Sequence, residues 1–142
     1  MIIGPQIFAR LSGNQAIANI IGSGANARIY PMVAGADQPS VFPYITYQVK
    51  RGTIPTGLRG AMGIAFPVVQ FNVWMNNFDY DLLEQLAELV KQCLQNWRDL
   101  TNGIQGSGCV GFGDLPPDEE SKAVGRYWDF QLHVSEAVSD LE

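Results

Sequence analysis

Between Pro43 and Trp97 the chain follows one order of patterns: a tyrosine-rich alternating stretch, a glycine-punctuated interval, a second alternating stretch from Pro67 to Met75, then an amphipathic helix. Two segments of period two followed at once by one of period 3.6 restrict the chain to folds in which a sheet carries a helix. From Tyr44 to Arg51, Ile45, Tyr47 and Val49 fall on one face and Tyr44, Thr46, Gln48 and Lys50 on the other, so one face packs while the other meets solvent or a partner. The second stretch sets Val69, Phe71, Val73 and Met75 against Val68, Gln70, Asn72 and Trp74, with Trp74 pointing outward to cover a neighbour. Asp79 or Asp81 caps the helix, whose Leu82, Leu83, Leu86, Leu89, Val90, Cys93, Leu94 and Trp97 form a stripe opposite Glu84, Glu88, Lys91 and Gln95.

The flanks add shorter elements. Pro5 opens a helical segment in which Ile7, Phe8 and Leu11, then Ile17, Ile20 and Ile21, recur at helical spacing around the Ser12-Gly13-Asn14 interruption. Arg28-Ile29-Tyr30 reads as a short edge strand stopped by Pro31, and residues 33–41 read as a loop. Gly52 to Gly63 has no periodicity and predicts a long exposed loop. Ile104 to Phe112 predicts a weak, glycine-broken strand, Asp114 to Glu120 an acidic turn, and Val124 to Val134 a closing strand with Trp128, Phe130, Leu132 and Val134 inward and Tyr127, Asp129, Gln131 and His133 outward. Residues 135–142 read as a frayed acidic tail.

Together these predict a single α+β domain over residues 1–142. It has an antiparallel-rich mixed sheet, with the long helix and the short N-terminal helical segment packed on one face. The length suffices to bury a core, and 46% hydrophobic residues argues against disorder. No apolar run nears the roughly 18 residues that cross a bilayer, and the start has neither a basic region nor a cleavage site, so a soluble, cytoplasmic chain with no membrane partner is expected. A net charge of −5 gives no global attraction to nucleic acid. Cys93, on the helix's apolar face, and Cys109 are expected to stay reduced.

Catalytic readings fare poorly. His133 is the single histidine and lies mid-strand, so it forms no paired metal site. Asp129 is four residues away, too far along a strand for a direct dyad. Neither cysteine has a nucleophile signature. Gly106-Ser107-Gly108-Cys109 and Gly111-Phe112-Gly113 resemble pieces of phosphate loops, but no Gly-Lys-Ser/Thr follows. Asp118-Glu119-Glu120 lacks the alternating oxygen ligands of a cation loop. No catalytic, cofactor or metal residue is predicted, and the chain is expected not to be an enzyme. What remains is surface: Tyr44, Gln48, Gln70, Trp74, Tyr127 and His133 mix aromatic and amide side chains as subunit interfaces do. Lys50, Arg51 and Arg59 make a small basic loop that faces either a channel, an acidic partner or solvent.

The succession Arg28-Ile29-Tyr30-Pro31, Phe42-Pro43-Tyr44-Ile45-Thr46-Tyr47, a loop, Val69-Gln70-Phe71-Asn72-Val73-Trp74, the Tyr80-led helix and a last long strand resembles the tail-terminator (tail-completion) proteins of long-tailed bacteriophages, also found in gene-transfer agents. The resemblance spans the chain to about Val134. It implies a virion structural protein at the tail–neck junction, assembled in the host cytoplasm. The subunits would form a homo-oligomeric ring, expected to be a hexamer, that caps the tail tube and stops its polymerisation. Its partners would be the major tail tube protein and the neck or head-completion proteins, with DNA passing the lumen unread. A neck or head-completion protein is the alternative, and a small ligand-binding domain or enzyme the rival from another class. Residues 33–41 and 114–120 depart from a short terminator.

Overall fold

The computed structural model describes residues 3–32, 41–54, 56–57, 60–61, 63–76, 78–118 and 122–135. Helix α1 (Gly4–Ser12) starts with Pro5 in its first turn, where a missing N–H costs nothing. It breaks at Gly13, and Asn14 begins α2 (Gln15–Ile21) by accepting the Ile17 N–H on its side-chain oxygen at 3.1 Å. Both helices bury the predicted stripe: Ile7, Leu11, Ile17 and Ile21 are inaccessible.

The strands are β1 (Ile29–Pro31), β2 (Tyr44–Thr53), β3 (Thr56–Gly57), β4 (Gly60–Ala61), β5 (Ile64–Met75), β6 (Ile104–Asp118) and β7 (Ala123–Ser135), with helix α3 (Tyr80–Leu94) between β5 and β6. The main sheet runs β1-β2-β5-β7-β6, with β1 parallel to β2 and every other pair antiparallel. This is the expected mixed, antiparallel-rich α+β sheet. The core lies between it and the helices. From the sheet it takes Ile45, Val69, Phe71, Val73, Met75, Trp128, Phe130, Leu132 and Val134; from α3, Leu83, Leu86, Val90 and Leu94. Each such side chain contributes about 1.5–3 kcal/mol by leaving water. Phe71 and Phe130 meet edge to face at 5.9 Å. Directed bonds fix the helices on the sheet and on each other: the Trp128 indole N–H donates to the Ala87 carbonyl at 2.8 Å, and Arg10 Nε to the Cys93 carbonyl at 2.9 Å.

Several boundaries differ from the sequence reading. Glycine 52 does not end β2: the ladder with β5 continues through Thr53↔Phe66 past a bulge at Lys50, and β3 pairs with β4 beyond it, so the expected loop is largely an extended hairpin. The acidic turn at 114–118 is strand as well, because β6 follows β7 up to Asp118↔Ala123. Helix α3 stops at Leu94, and Trp97 is buried from the segment that follows it. Ser135 is still in β7, while 136–142 of the expected tail and 33–40 of the expected loop lie outside the described residues.

Candidate functional site

The register of the central strands lays the outer face out in rows. Tyr44, Trp74, Gly125 and Leu115 form the first; Thr46, Asn72, Tyr127 and Gly113 the second; Gln48, Gln70, Asp129 and Gly111 the third. Further down lie Val68, Gln131 and Gly108, and at the end His133 with Gly106. Alternation predicts an open face, but its upper part is closed by its own side chains. Tyr44 is 2% exposed, with Trp74 stacked at 6.4 Å and Phe42 at 5.1 Å, and Asn72 is 1% exposed, donating to Thr46 Oγ1 at 3.2 Å. Tyr44 therefore belongs to an aromatic layer rather than to open surface, and Trp74 is its half-buried lid.

The lower rows are polar and partly open. Gln48 donates to the Gln70 side-chain oxygen at 3.1 Å, and Lys50 bonds Asp129 at 3.2 Å while lying 6.0 Å from the Tyr127 ring centre. Exposed His133 meets Phe66 edge-on at 5.0 Å. Arg51 is exposed opposite Val68; Arg59 lies outside the described residues. The structure thus gathers Gln48, Lys50, Gln70, Tyr127 and Asp129 on one patch and sets His133 apart from it.

Two features escaped the sequence reading. One is a column of glycines on the outer side of β6, Gly106, Gly108, Gly111 and Gly113. A Cβ at Gly113 would sit 2.8 Å from the Tyr127 ring, so glycine there lets that ring lie flat on the edge strand. The signal was present as glycine at alternate positions, with one change of phase at the Val110 bulge. The other is a polar cluster on the helix side, built across 46 residues. Tyr80 Oη donates to Asp114 Oδ2 at 2.7 Å, and Arg126 donates to Asp114 Oδ1 at 2.9 Å and to the Tyr80 hydroxyl, with Glu84 3.8 Å from its guanidinium. The bonds from Tyr80 and Arg126 hold the Asp114 carboxyl below the ordinary carboxylate range, and the bond to Asp114 raises the Tyr80 hydroxyl. The cluster pins the β6–β7 hairpin to the first turns of α3. Spacing alone gives no hint of such a long-range meeting.

Among the described residues no three His, Cys, Asp or Glu side chains converge on a metal position, and the Asp129 carboxylate is engaged by Lys50. Cys93 sits between α1 and α3, its thiol pushed up by burial, while Cys109 is on β6. An open concavity of about 560 Å³ between α1 and the turn after α3 is lined by Gln6, Arg10, Trp97, Arg98, Asp99 and Asn102, a set without a nucleophile–base pair. No helix among the described residues is long and apolar enough to cross a membrane.

Solved structures share this fold along its length. A chain in the virion of a native gene transfer agent (GTA) particle superposes with a TM-score of 0.69 over 91% of both chains, at 15% identity. No protein-family model matches the chain, and no curated protein does.

Proposed function

We propose that this chain is a virion structural protein, a tail terminator whose copies form a ring on the last ring of the tail tube. The ring ends tube growth and presents the surface on which the filled head docks through neck proteins. One observation carries the reading: the whole domain, over nine-tenths of its length, shares its fold with a chain of a gene transfer agent virion. Its surfaces support the same conclusion. The patch of Gln48, Lys50, Gln70, Tyr127 and Asp129 is amphipathic, its two charges paired with each other and set among amides and an aromatic ring, as polar parts of subunit contacts are. A net charge of −5 lets DNA slide through a lumen rather than adhere to its wall. The function on this reading resides in shape and surface, without a reaction, cofactor or metal.

The test is the mass of the purified protein by light scattering, alone and with assembled tail tubes. A ring, or a monomer that becomes a ring on tube ends and blocks their growth, supports the terminator role. A monomer that ignores tubes but binds the portal-side assembly transfers the protein to the neck, and one that ignores both refutes the virion reading.

A further inference from the structure

The two sides of the sheet end in unlike edges, and among the described residues each edge is only half covered. On β6 the first half is blunted from outside: Ile104 bridges Asp99, the Ser107 carbonyl accepts the Asn96 N–H at 3.1 Å, and the Cys109 N–H reaches the Gln95 side-chain oxygen at 3.4 Å. From Val110 onward β6 has no strand partner among the described residues except β7. On β2 the cover is reversed. Among the described residues strand β1 pairs only with Ile45 to Tyr47, Met32 adds one bond to the Tyr47 carbonyl, and beyond it β2 pairs only with β5. Open edges are templates for another strand, which sequences normally block with lysine, proline or charge. Residues 110–113 of β6 carry none of these. Instead they expose Val110 at 55% and Phe112 at 70%.

From these edges we infer that residues 110–114 of β6 pair, antiparallel, with residues 50–54, at the end of β2, in a second copy of this chain. The inference rests on the ring reading above and specifies its joint. Three antiparallel steps separate β2 from β6, so the two run oppositely in one subunit, and copies related by rotation bring them together antiparallel. The edges differ in charge: β2 carries Lys50 and Arg51 and no acid, whereas β6 carries Asp114 and Asp118 and no cation. Setting Arg51 opposite Gly113 puts Gly52 opposite Phe112 and Ile54, 55% exposed, opposite Val110. The second copy's Arg51 then lies over Gly111 and Gly113, where β6 has no side chain in its way. It points toward Asp129, whose Oδ1 is buried with no partner in the subunit.

The offset between the edges favours closure. Within one subunit the row through Arg51 ends at Gly108, opposite Gln131, while Gly113 lies opposite Tyr127; the Val110 bulge absorbs one residue, so pairing with Gly113 displaces the next copy by about 13 Å across four strand spacings of about 4.8 Å. That is a tilt of about 35°, at the lower end of the range of about 35–45° at which strands close into barrels. Because the two edges are different surfaces, the contact is heterologous and makes a ring rather than a two-fold dimer.

The experiment is disulfide trapping of the full chain carrying Ile54→Cys and Val110→Cys in a Cys109→Ser background, with thermal melting to verify the fold. The two sites lie on opposite edges of a subunit, so any bond between them joins copies. Mild oxidation should give a ladder up to the closed ring on a non-reducing gel, whereas each single cysteine stops at dimer. Arg51→Glu and Phe112→Ala should each cut ring yield about tenfold or more, with the monomer's melting unchanged. Rings that form without the ladder, or are indifferent to both substitutions, overturn this joint and leave the terminator reading standing. A chain that forms no ring under any condition, tube ends included, overturns both.

Discussion

Gly125 sits in the first row of the outer face, and replacing it with alanine tests whether that row is packed as tightly as the geometry says. The added Cβ would lie 2.8 Å from Leu115 Cδ1 and 2.9 and 3.0 Å from Trp74 Cε3 and Cζ3. Leu115 presents the end of a flexible side chain and can swing away. The Trp74 ring has less room, because it stacks on Tyr44, which is itself held between Phe42 and Tyr30. Overfilling such a site costs about 1–3 kcal/mol, offset by the roughly 0.5–1 kcal/mol that alanine gains over glycine within a strand. The net is about 1–2 kcal/mol, or a fall in Tm of about 3–7 °C for a domain of this size. Gly108→Ala is the control, since a Cβ there meets nothing within 4 Å. It should leave Tm unchanged or raise it by about 2 °C. In a Trp74→Leu background the cost of Gly125→Ala should fall to about 0.5 kcal/mol or less. Thermal melting by circular dichroism reads the wild type and all four variants. Equal melting of the Gly125→Ala and Gly108→Ala variants, or a cost that persists without Trp74, would refute the account of the aromatic layer.

Three further outcomes are expected. Because Tyr80 and Arg126 depress the Asp114 pKa in the folded chain, this carboxylate stabilises above the ordinary carboxylate range and the contribution is lost as pH falls through its folded value. Asp114→Asn should therefore flatten the acid limb of the Tm-against-pH curve, and an unaltered limb would show that the cluster does not hold the hairpin. Burial keeps the Cys93 thiol above its usual range, so a disulfide reagent at pH 8 should modify half-buried Cys109 quickly and Cys93 only on unfolding; two equally fast thiols would contradict the packing of α1 on α3. Tyr127→Ala should weaken ring assembly by about 2 kcal/mol while costing the monomer less, as aromatic anchors at interfaces do. Sedimentation against melting decides it, and equal losses would make Tyr127 an ordinary packing residue.

The legible elements were those whose hydrophobic period runs unbroken. Helix α3 and the strands around Ile45, Phe71 and Phe130 bury most of the residues that alternation or the helical stripe assigns to the core; Val49, assigned to the packed face, is instead exposed where β2 runs past the helices, and Tyr47, Leu82 and Leu89 are only partly buried. Where the period failed, the cause is physical. β6 shows no hydrophobic alternation because its outer positions are glycines and its Val110 bulge reverses the phase. The interval after Gly52 was read as loop because glycine and proline dominate it, yet pairing with β5 supplies what propensity lacks. Tyr44 was placed outward correctly, but its burial depends on Trp74, Phe42 and Tyr30, which converge only in the fold. The candidate surface was readable as residue types and not as neighbours: nothing local joins Lys50 to Asp129, or Tyr80 to Asp114 and Arg126.

The outer face is therefore not one surface, and this narrows what an assembly can use. Its upper rows satisfy themselves: Tyr44, Thr46 and Asn72 are buried without any second chain, so a partner laid there would gain little new apolar burial. The lower rows leave amides and the Lys50–Asp129 pair at the surface of the fold, groups that a partner can satisfy at small desolvation cost. The large apolar groups still exposed near the sheet's margins, Val49, Ile54, Val110 and Phe112, belong to β2, its extension and β6. Hydrophobic drive at the edges with polar specificity on the adjoining lower face is the division of labour found in subunit contacts. On the proposed ring this division puts the joint between copies at the flanks of the sheet and leaves the helix face, closed over by α1, α2 and α3, to hold the subunit together.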